Sequence, residues 1–247
     1  MKYFILILLF WGLHGVAQTS SDSLQLKDNA ILFKPKKLII PSTLITFGIV
    51  GLESHSLKDL NGEIREEINE HIDEKITIDD FLQYAPFAAT FALDWAGIPA
   101  KHTLKERILV AATSHVIMSA TVISIKKTGR VMRPDGSANN SFPSGHTATA
   151  FAGAEMAWQE YKDVSPWYGI GAFTLAAGTG FFRMYNDRHW LTDVAAGAGI
   201  GILSTKIAYW TLSLTQEIFF KNKQEFTGII TPFYQENGGG LSMMLQY

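Results

Sequence analysis

The sequence lacks several features that would narrow its function at once. It contains no cysteine, so it relies on neither disulfides nor thiolate metal ligands, which suits a bacterial periplasm. Its formal net charge is only -2, which gives no general attraction for nucleic acid. Internal repeats and low-complexity tracts are also missing. Any site for an anion must therefore be local.

Long uninterrupted apolar runs are scarce as well. The mean hydropathy is +0.09, which is low for a chain that crosses a membrane many times, and Asp94 and Lys206 interrupt apolar segments. Several segments are nevertheless rich in Ala and Gly and apolar on most faces, which predicts an all-α bundle of about five to six close-packed helices. These segments are 81–98, 108–125, 146–161, 167–182 and 189–214. A membrane bundle and a compact soluble bundle both fit this pattern.

The two ends of the chain differ from this apolar region. Residues 1–17 have a lysine, an apolar run and small residues at Gly15 and Ala17, which predicts a secretory signal cleaved after Ala17. An uncleaved anchor is the alternative, and either one exports the chain. Residues 18–80 are a polar and amphipathic N-terminal segment, and 81–214 form the predicted catalytic domain. In the tail, 215–247, two apolar stretches flank ENGGG and predict a β-hairpin.

Three features of the N-terminal segment carry structural predictions. Residues 38–52 are apolar but short and contain Pro41, so we expect them not to span a membrane. Residues 53–80 are charged but carry isoleucines and leucines every four residues, which predicts a surface helix with one buried stripe. Thr77 and Asp80 have the spacing of a capping box that would open the helix at 81–98.

Charged and polar residues cluster where three predicted helices begin or end. KKTGRVMRP follows the helix at 108–125, SFPSGH opens the helix at 146–161, and RMYNDRHWLTD precedes the helix at 189–214. If the three ends meet, they form one anion site. The candidate site residues are Lys126, Arg133, Ser144, Gly145, His146, Arg183, His189 and Asp193.

The cationic and backbone donors suit a phosphoryl group. Lys126, Arg133 and Arg183 can bind non-bridging oxygens, the arginines in bidentate fashion. The amides of Ser144 and Gly145 stand at a helix start, where free N–H groups and the helix dipole favour an anion.

The two histidines suit phosphoryl transfer. His189 and Asp193 are four residues apart, so on a helix the carboxylate would hold one ring nitrogen and leave the other free to attack phosphorus. His146 would protonate the leaving oxygen from the opposite side. Water would then hydrolyse the phosphohistidine. We expect no metal and no cofactor, because fixed cations stabilise the charge.

These clusters resemble the type 2 phosphatidic acid phosphatase (PAP2) superfamily, which includes lipid phosphatases, bacterial acid phosphatases and vanadium haloperoxidases. The family pattern of lysine, six residues and Arg-Pro matches residues 126–134, and Pro-Ser-Gly-His matches 143–146. The third motif matches Arg183, His189 and Asp193, but Phe182 stands where the family has serine, which removes only an auxiliary contact.

The resemblance implies a membrane-embedded phosphomonoesterase acting on a lipid phosphate, such as phosphatidic acid, phosphatidylglycerol phosphate, undecaprenyl diphosphate or lipid A. A soluble periplasmic acid phosphatase of broad specificity is the main alternative, and vanadate-dependent halide oxidation is a third. A non-catalytic scaffold or transporter would lack motif residues, and none of the catalytic ones is missing. The expected partners are the lipid phosphate and the membrane, not nucleic acid.

The basic link AKHTLKER, residues 100–107, predicts the orientation. If 38–52 does not span, this link becomes cytoplasmic, as the positive-inside rule prefers. The three motifs then face the periplasm from the inner membrane of a bacterial cell envelope.

Overall fold

The structure, a computed structural model, describes residues 35–70, 77–220, 227–235 and 238–246, so the predicted signal at 1–17 lies outside the described residues. A 3₁₀ turn, Pro35–Leu38, opens this part of the chain. The helices are α1 (Ile39–Val50), α2 (His55–Asn69), α3 (Asp79–Leu82), α4 (Ala85–Trp95), α5 (Leu104–Thr128), α6 (Gly145–Tyr161), α7 (Pro166–Tyr185), α8 (Leu191–Trp210) and α9 (Leu212–Phe220). The all-α prediction for the catalytic region is confirmed.

The predicted hairpin in the tail is also present. Strands β1 (Thr227–Gln235) and β2 (Gly238–Gln246) pair antiparallel, with Gln235 opposite Gly238 across the turn.

Helices α6 and α8 form the centre of the bundle. α6 packs against α7 and α8, and α8 also packs against α1 and α5. α5 and α7 run to the end of the bundle where α6 and α8 begin, so two helix C-termini and two helix N-termini meet there. All three motif clusters lie at that end.

Small residues set the close approach of α6 and α8. A methyl group at Gly201 would overlap the carbonyl oxygen of Ala148, and one at Gly197 would overlap that of Ser144. The backbones therefore touch without intervening side chains, as in the packing of membrane helices. This contact fixes the first turn of α6 against the first turn of α8.

An ion pair lies inside the same helix pair. Lys206 Nζ on α8 lies 2.5 Å from Glu155 Oε1 on α6, where the Glu155 side chain is buried and that of Lys206 is 11% exposed. Gln159 also donates to Glu155 at 2.6 Å. The pairing explains how a lysine can interrupt an apolar segment, because each charge is neutralised where water is scarce.

Two of the described helices, α5 and α8, are long and apolar enough to cross a membrane. Val116 and Ile108 on α5 are 67% and 54% exposed. The 3₁₀ turn with α1, taken together with α2, makes a third candidate span, but the chain bends by 95° between the two parts. Whether 38–52 spans therefore stays a prediction.

The structure corrects the predicted helix at 81–98. It is divided into α3 and α4, because Pro86 in the first turn of α4 cannot donate a backbone bond to α3. The predicted capping box is wrong, since Ile78 precedes α3 without a side-chain cap and Thr77 makes no such bond. Asp80 instead points to the first turn of α6.

Two other boundaries differ from the prediction. The charged surface helix ends at Asn69, well before residue 80, and its fully buried residue is Asn61 on the apolar side. The segment at 189–214 begins its helix at Leu191 and is interrupted at Thr211, where α9 starts as a separate helix.

Candidate active site

The loop between α5 and α6 brings the first two motifs together. Val131 and Asn140 form an isolated bridge, and the amide of Ser141 donates to the carbonyl of Val131 at 2.9 Å. Lys126, in the last turn of α5, donates through Nζ to the carbonyl of Asn140. The lysine of the first motif therefore lies beside the residues that lead into the second.

A backbone bond joins the second motif to the third. The amide of Ser144 donates to the carbonyl of Asp193 at 3.0 Å, and its hydroxyl accepts from the amide of Thr147 at 3.4 Å. The predicted donation from the Ser144 amide to an anion is therefore wrong, because this amide already has a partner. Ser144 is the N-cap of α6, whereas Gly145 occupies the first helical position, whose amide has no partner within the helix.

His189 lies in the short loop before α8 and is only 3% exposed. Its amide donates to the carbonyl of Arg183 at 3.2 Å, which anchors the loop to the end of α7. Burial, aided by the charges of Lys126 and Arg183 and opposed by Asp193, lowers the pKa of His189 to about 4. The ring is therefore neutral at physiological pH, as a nucleophile must be.

Asp193 stands beside His189 with a third residue between them. Its Oδ2 lies 3.6 Å from Nδ1 of His189, which is too long for a hydrogen bond. The same oxygen accepts from the hydroxyl of Ser141 at 2.5 Å and from the amide of Trp190 at 2.9 Å. The hydroxyl of Ser141 is also 3.4 Å from Nδ1 of His189. Because His189 precedes the helix, the predicted geometry of two residues on one helix face does not apply.

Arg183 has contacts that lead to both histidines: its carbonyl accepts from the amide of His189, and its Nη1 lies 3.7 Å from Oδ1 of Asp80, the oxygen that contacts His146. It is buried in the last turn of α7, and its Nη1 donates to Oδ2 of Asp79 at 2.5 Å. Its charge acts on both His146 and His189. Because the charge of one guanidinium acts on both imidazole rings, we treat the two histidines as parts of one candidate site.

His146, in the first turn of α6, has an acidic partner that the sequence did not reveal. Its Nε2 lies 2.9 Å from Oδ1 of Asp80, and the side chains are 30% and 58% exposed. Burial and the charge of Arg183 lower the pKa of His146, and Asp80 and Asp79 oppose this shift.

Arg133 completes the cationic group. Its Nε is buried and has no hydrogen bond among the described residues. Burial, Arg183 and Arg188 lower the pKa of its guanidinium, while Asp135 and Asp193 raise it. A buried donor without a partner next to other cations is the arrangement expected where an anion binds.

Asp79, Asp80 and His146 also place three possible metal ligands within 4.8 Å of one another. Each is already engaged, because Asp79 binds Arg183 and Asn186, and Asp80 binds His146. A cation could bind there only by displacing the arginine from Asp79 or the imidazole from Asp80.

Helix α2 braces the loop that carries His189. Asn61 donates to the hydroxyl of Thr192 at 2.9 Å and accepts from the amide of Thr192 at 3.3 Å. Arg65 donates to Asp187 at 2.7 Å, and Asp187 has a φ of 55°, an uncommon conformation for a residue other than glycine. Nothing in the sequence marked these contacts, since α2 reads as a solvated helix.

Comparisons with known proteins agree with the motifs. Residues 88–216 match the family model of the PAP2 superfamily. A lipid A 1-phosphatase from Porphyromonas gingivalis is 40% identical over 138 residues, which are 56% of this chain and 31% of that protein. The bacitracin transport permease protein BcrC of Bacillus licheniformis is 36% identical over 73 residues, which are 30% of this chain and 34% of that protein. The matched part thus spans about a third of each relative.

Two solved structures are also similar. LpxE of Aquifex aeolicus has a TM-score of 0.44 at 24% identity, covering 61% of this chain and 94% of its own. A PAP2 type phosphatidylglycerolphosphate phosphatase of Bacillus subtilis has a TM-score of 0.43 at 16% identity, covering 75% of this chain and 98% of its own. With its spanning-length helices, the chain is a membrane protein.

Proposed function

The chain belongs to the PAP2 superfamily, and from that premise we propose that it is a metal-independent phosphatase of lipid phosphates. The observation that carries the proposal is the position of Arg183, whose charge acts on a buried neutral His189 and on His146. A phosphoryl group bound by this guanidinium has one imidazole for attack and another for protonation.

His189 is the proposed nucleophile. Its Nδ1 faces Ser141 and Asp193, so Nε2 is the nitrogen left to attack phosphorus. As the N–P bond forms, the bond from phosphorus to the leaving oxygen breaks, and His146 gives that oxygen its proton. Water then attacks the phosphohistidine, His146 takes a proton from it, and inorganic phosphate leaves.

The cations and the helix N-terminus stabilise the transferred group. Lys126, Arg133 and Arg183 bind its non-bridging oxygens, and the amide of Gly145 adds a neutral donor. Asp193 stabilises the cationic character that His189 acquires on attack, with Ser141 holding its carboxylate in place.

The substrate class follows from the membrane setting and from relatives. A lipid A 1-phosphatase is 40% identical to part of this chain, which favours lipid A among the candidate lipid phosphates. We place the site at the periplasmic face of the inner membrane, because the basic link at 100–107 lies at the opposite end of the bundle from the motifs. A reporter fused at residue 104 that is active only outside the cytoplasm would contradict this orientation.

Phosphate release from a panel of lipid phosphates tests the activity. The purified protein in detergent, with and without a chelator, is compared with His189→Ala and with Lys127→Ala, an exposed cation at the same end of α5. We expect release that survives chelation, vanishes in His189→Ala and persists in Lys127→Ala. Release that persists in His189→Ala refutes the mechanism. Extraction without detergent would instead favour a soluble acid phosphatase.

A further inference from the structure

The two histidines of the proposed pocket differ in their charged neighbours. The nucleophile His189 is influenced by Lys126 and Arg183, and its acidic neighbour Asp193 is only 1% exposed. Around His146 the neighbours are Arg183 and two carboxylates, Asp80 and Asp79. The transferred phosphoryl group thus meets cations, while the leaving group that His146 protonates departs on the side of Asp80.

The two carboxylates near His146 are not equivalent. Asp79 is 1% exposed, and its two oxygens are bound by Arg183 and Asn186. The side chain of Asp80 is 58% exposed, and its Oδ1 lies 3.7 Å from Nη1 of Arg183. The same guanidinium also contacts Asp79. Since one guanidinium faces two carboxylates, a net negative charge remains at Asp80 once His146 has given its proton to the leaving oxygen.

We propose that Asp80 is a specificity-determining residue that disfavours leaving groups carrying negative charge. The inference rests on the proposed function, because it requires His146 to protonate the leaving oxygen. A phosphomonoester of an alcohol or sugar hydroxyl releases a neutral alcohol beside Asp80. A diphosphate releases a second phosphate there, whose charge Asp80 repels. The site therefore favours phosphomonoesters over diphosphates of comparable lipids.

The bond-breaking step is the same for both substrate classes. Nε2 of His189 bonds to the terminal phosphorus, the bond to the bridging oxygen breaks, and that oxygen takes the proton of His146. Only the charge of the group that leaves differs. Discrimination by Asp80 must therefore appear in the ratio of rates for charged and neutral leaving groups.

Three substrates separate charge from acid strength. An alkyl phosphate lipid has a poor leaving group that carries no charge once its oxygen is protonated. p-Nitrophenyl phosphate has a good leaving group whose only charge forms on the departing oxygen, and a polyprenyl diphosphate has a good one that also carries charge on its other phosphate oxygens. The variant Asp80→Asn keeps the shape of the side chain and removes its charge. Any effect that it has on protonation by His146 is common to the two substrates with good leaving groups, so it cancels in the ratio of their rates. The matched control is Asp163→Asn, an exposed carboxylate at the far end of α6.

We expect Asp80→Asn to raise the kcat/KM ratio of diphosphate to p-nitrophenyl phosphate by about fivefold, since an exposed charge is screened. Asp163→Asn leaves the ratio unchanged. An unchanged ratio in Asp80→Asn, or an equal loss on all three substrates, overturns the proposal. A ratio that a chelator changes in the unmodified protein also overturns it, because Asp80 would then hold a cation. Failure of the proposed function would give a different result from failure of this proposal, because no substrate would then show phosphate release that depends on His189.

Discussion

The burial of His189 makes the stability of the fold sensitive to acid. In the unfolded chain the imidazole titrates near 6.5, whereas in the folded chain its pKa is about 4, chiefly because the ring is withdrawn from water. Between these values the unfolded chain binds a proton that the folded chain does not. Stability is therefore complete above pH 6.5, falls as the pH drops toward 4, and loses nothing more from this residue below that.

The two pKa values give the size of the loss. The difference between 6.5 and about 4 corresponds to about 3 kcal/mol by pH 4, at 1.36 kcal/mol for each pH unit. His189 is 3% exposed, so solvent screening does not diminish this value.

Unfolding in detergent measures the effect. The free energy of unfolding is determined at pH 7.5 and pH 4 for the unmodified protein and for His189→Asn, which cannot titrate. We expect the unmodified protein to lose about 3 kcal/mol more than the variant over this range. Equal losses in both proteins would refute the argument, because the ring would then be as easily protonated when folded as when unfolded.

Three further predictions test the packing. Gly201→Ala should lower the thermal midpoint strongly because its methyl group overlaps a carbonyl of α6, whereas Gly62→Ala meets nothing within 4 Å and should stabilise α2 by up to about 1 kcal/mol. Lys206→Met leaves Glu155 buried and unpaired and should cost about 3–5 kcal/mol, and the added change Glu155→Gln should restore most of it. Asn61→Ala should cost about 1–3 kcal/mol, measured by chemical unfolding, because a buried amide in the first turn of α8 loses its acceptor. The first argument is contradicted if Gly201→Ala leaves the thermal midpoint unchanged. The second is contradicted if the double variant is no more stable than Lys206→Met, and the third if Asn61→Ala leaves the free energy of unfolding unchanged.

Local sequence patterns predict the helices well where one face or all faces are apolar. The central helices α6 and α8 are marked by Ala and Gly in regular succession, and the second family motif and the end of the third fall at or just before their first turns. The boundary at Pro86 was missed because the hydrophobic pattern continues across it, although proline geometry marks the break.

The parts of the site that depend on distant contacts were not predictable. Asp79 and Asp80 look like helix-opening residues in the sequence, but the bundle places them against Arg183 and His146. Ser141 has no motif signature, and its contact with Asp193 arises only when two loops meet. Such contacts are set by packing between residues 52 to 104 positions apart, about which local periodicity carries no information.

The contacts that α2 makes with the catalytic region determine which residues a functional fragment of the protein must include. Sequence similarity to the family starts at residue 88, but Asn61 and Arg65 reach the loop that carries the nucleophile. An expression fragment cut at the edge of the conserved region would keep every motif and still lose the outer support of that loop. The smallest working enzyme is therefore larger than its recognisable signature, and fragments designed for crystallisation or transplantation should retain the helices that begin at residue 39.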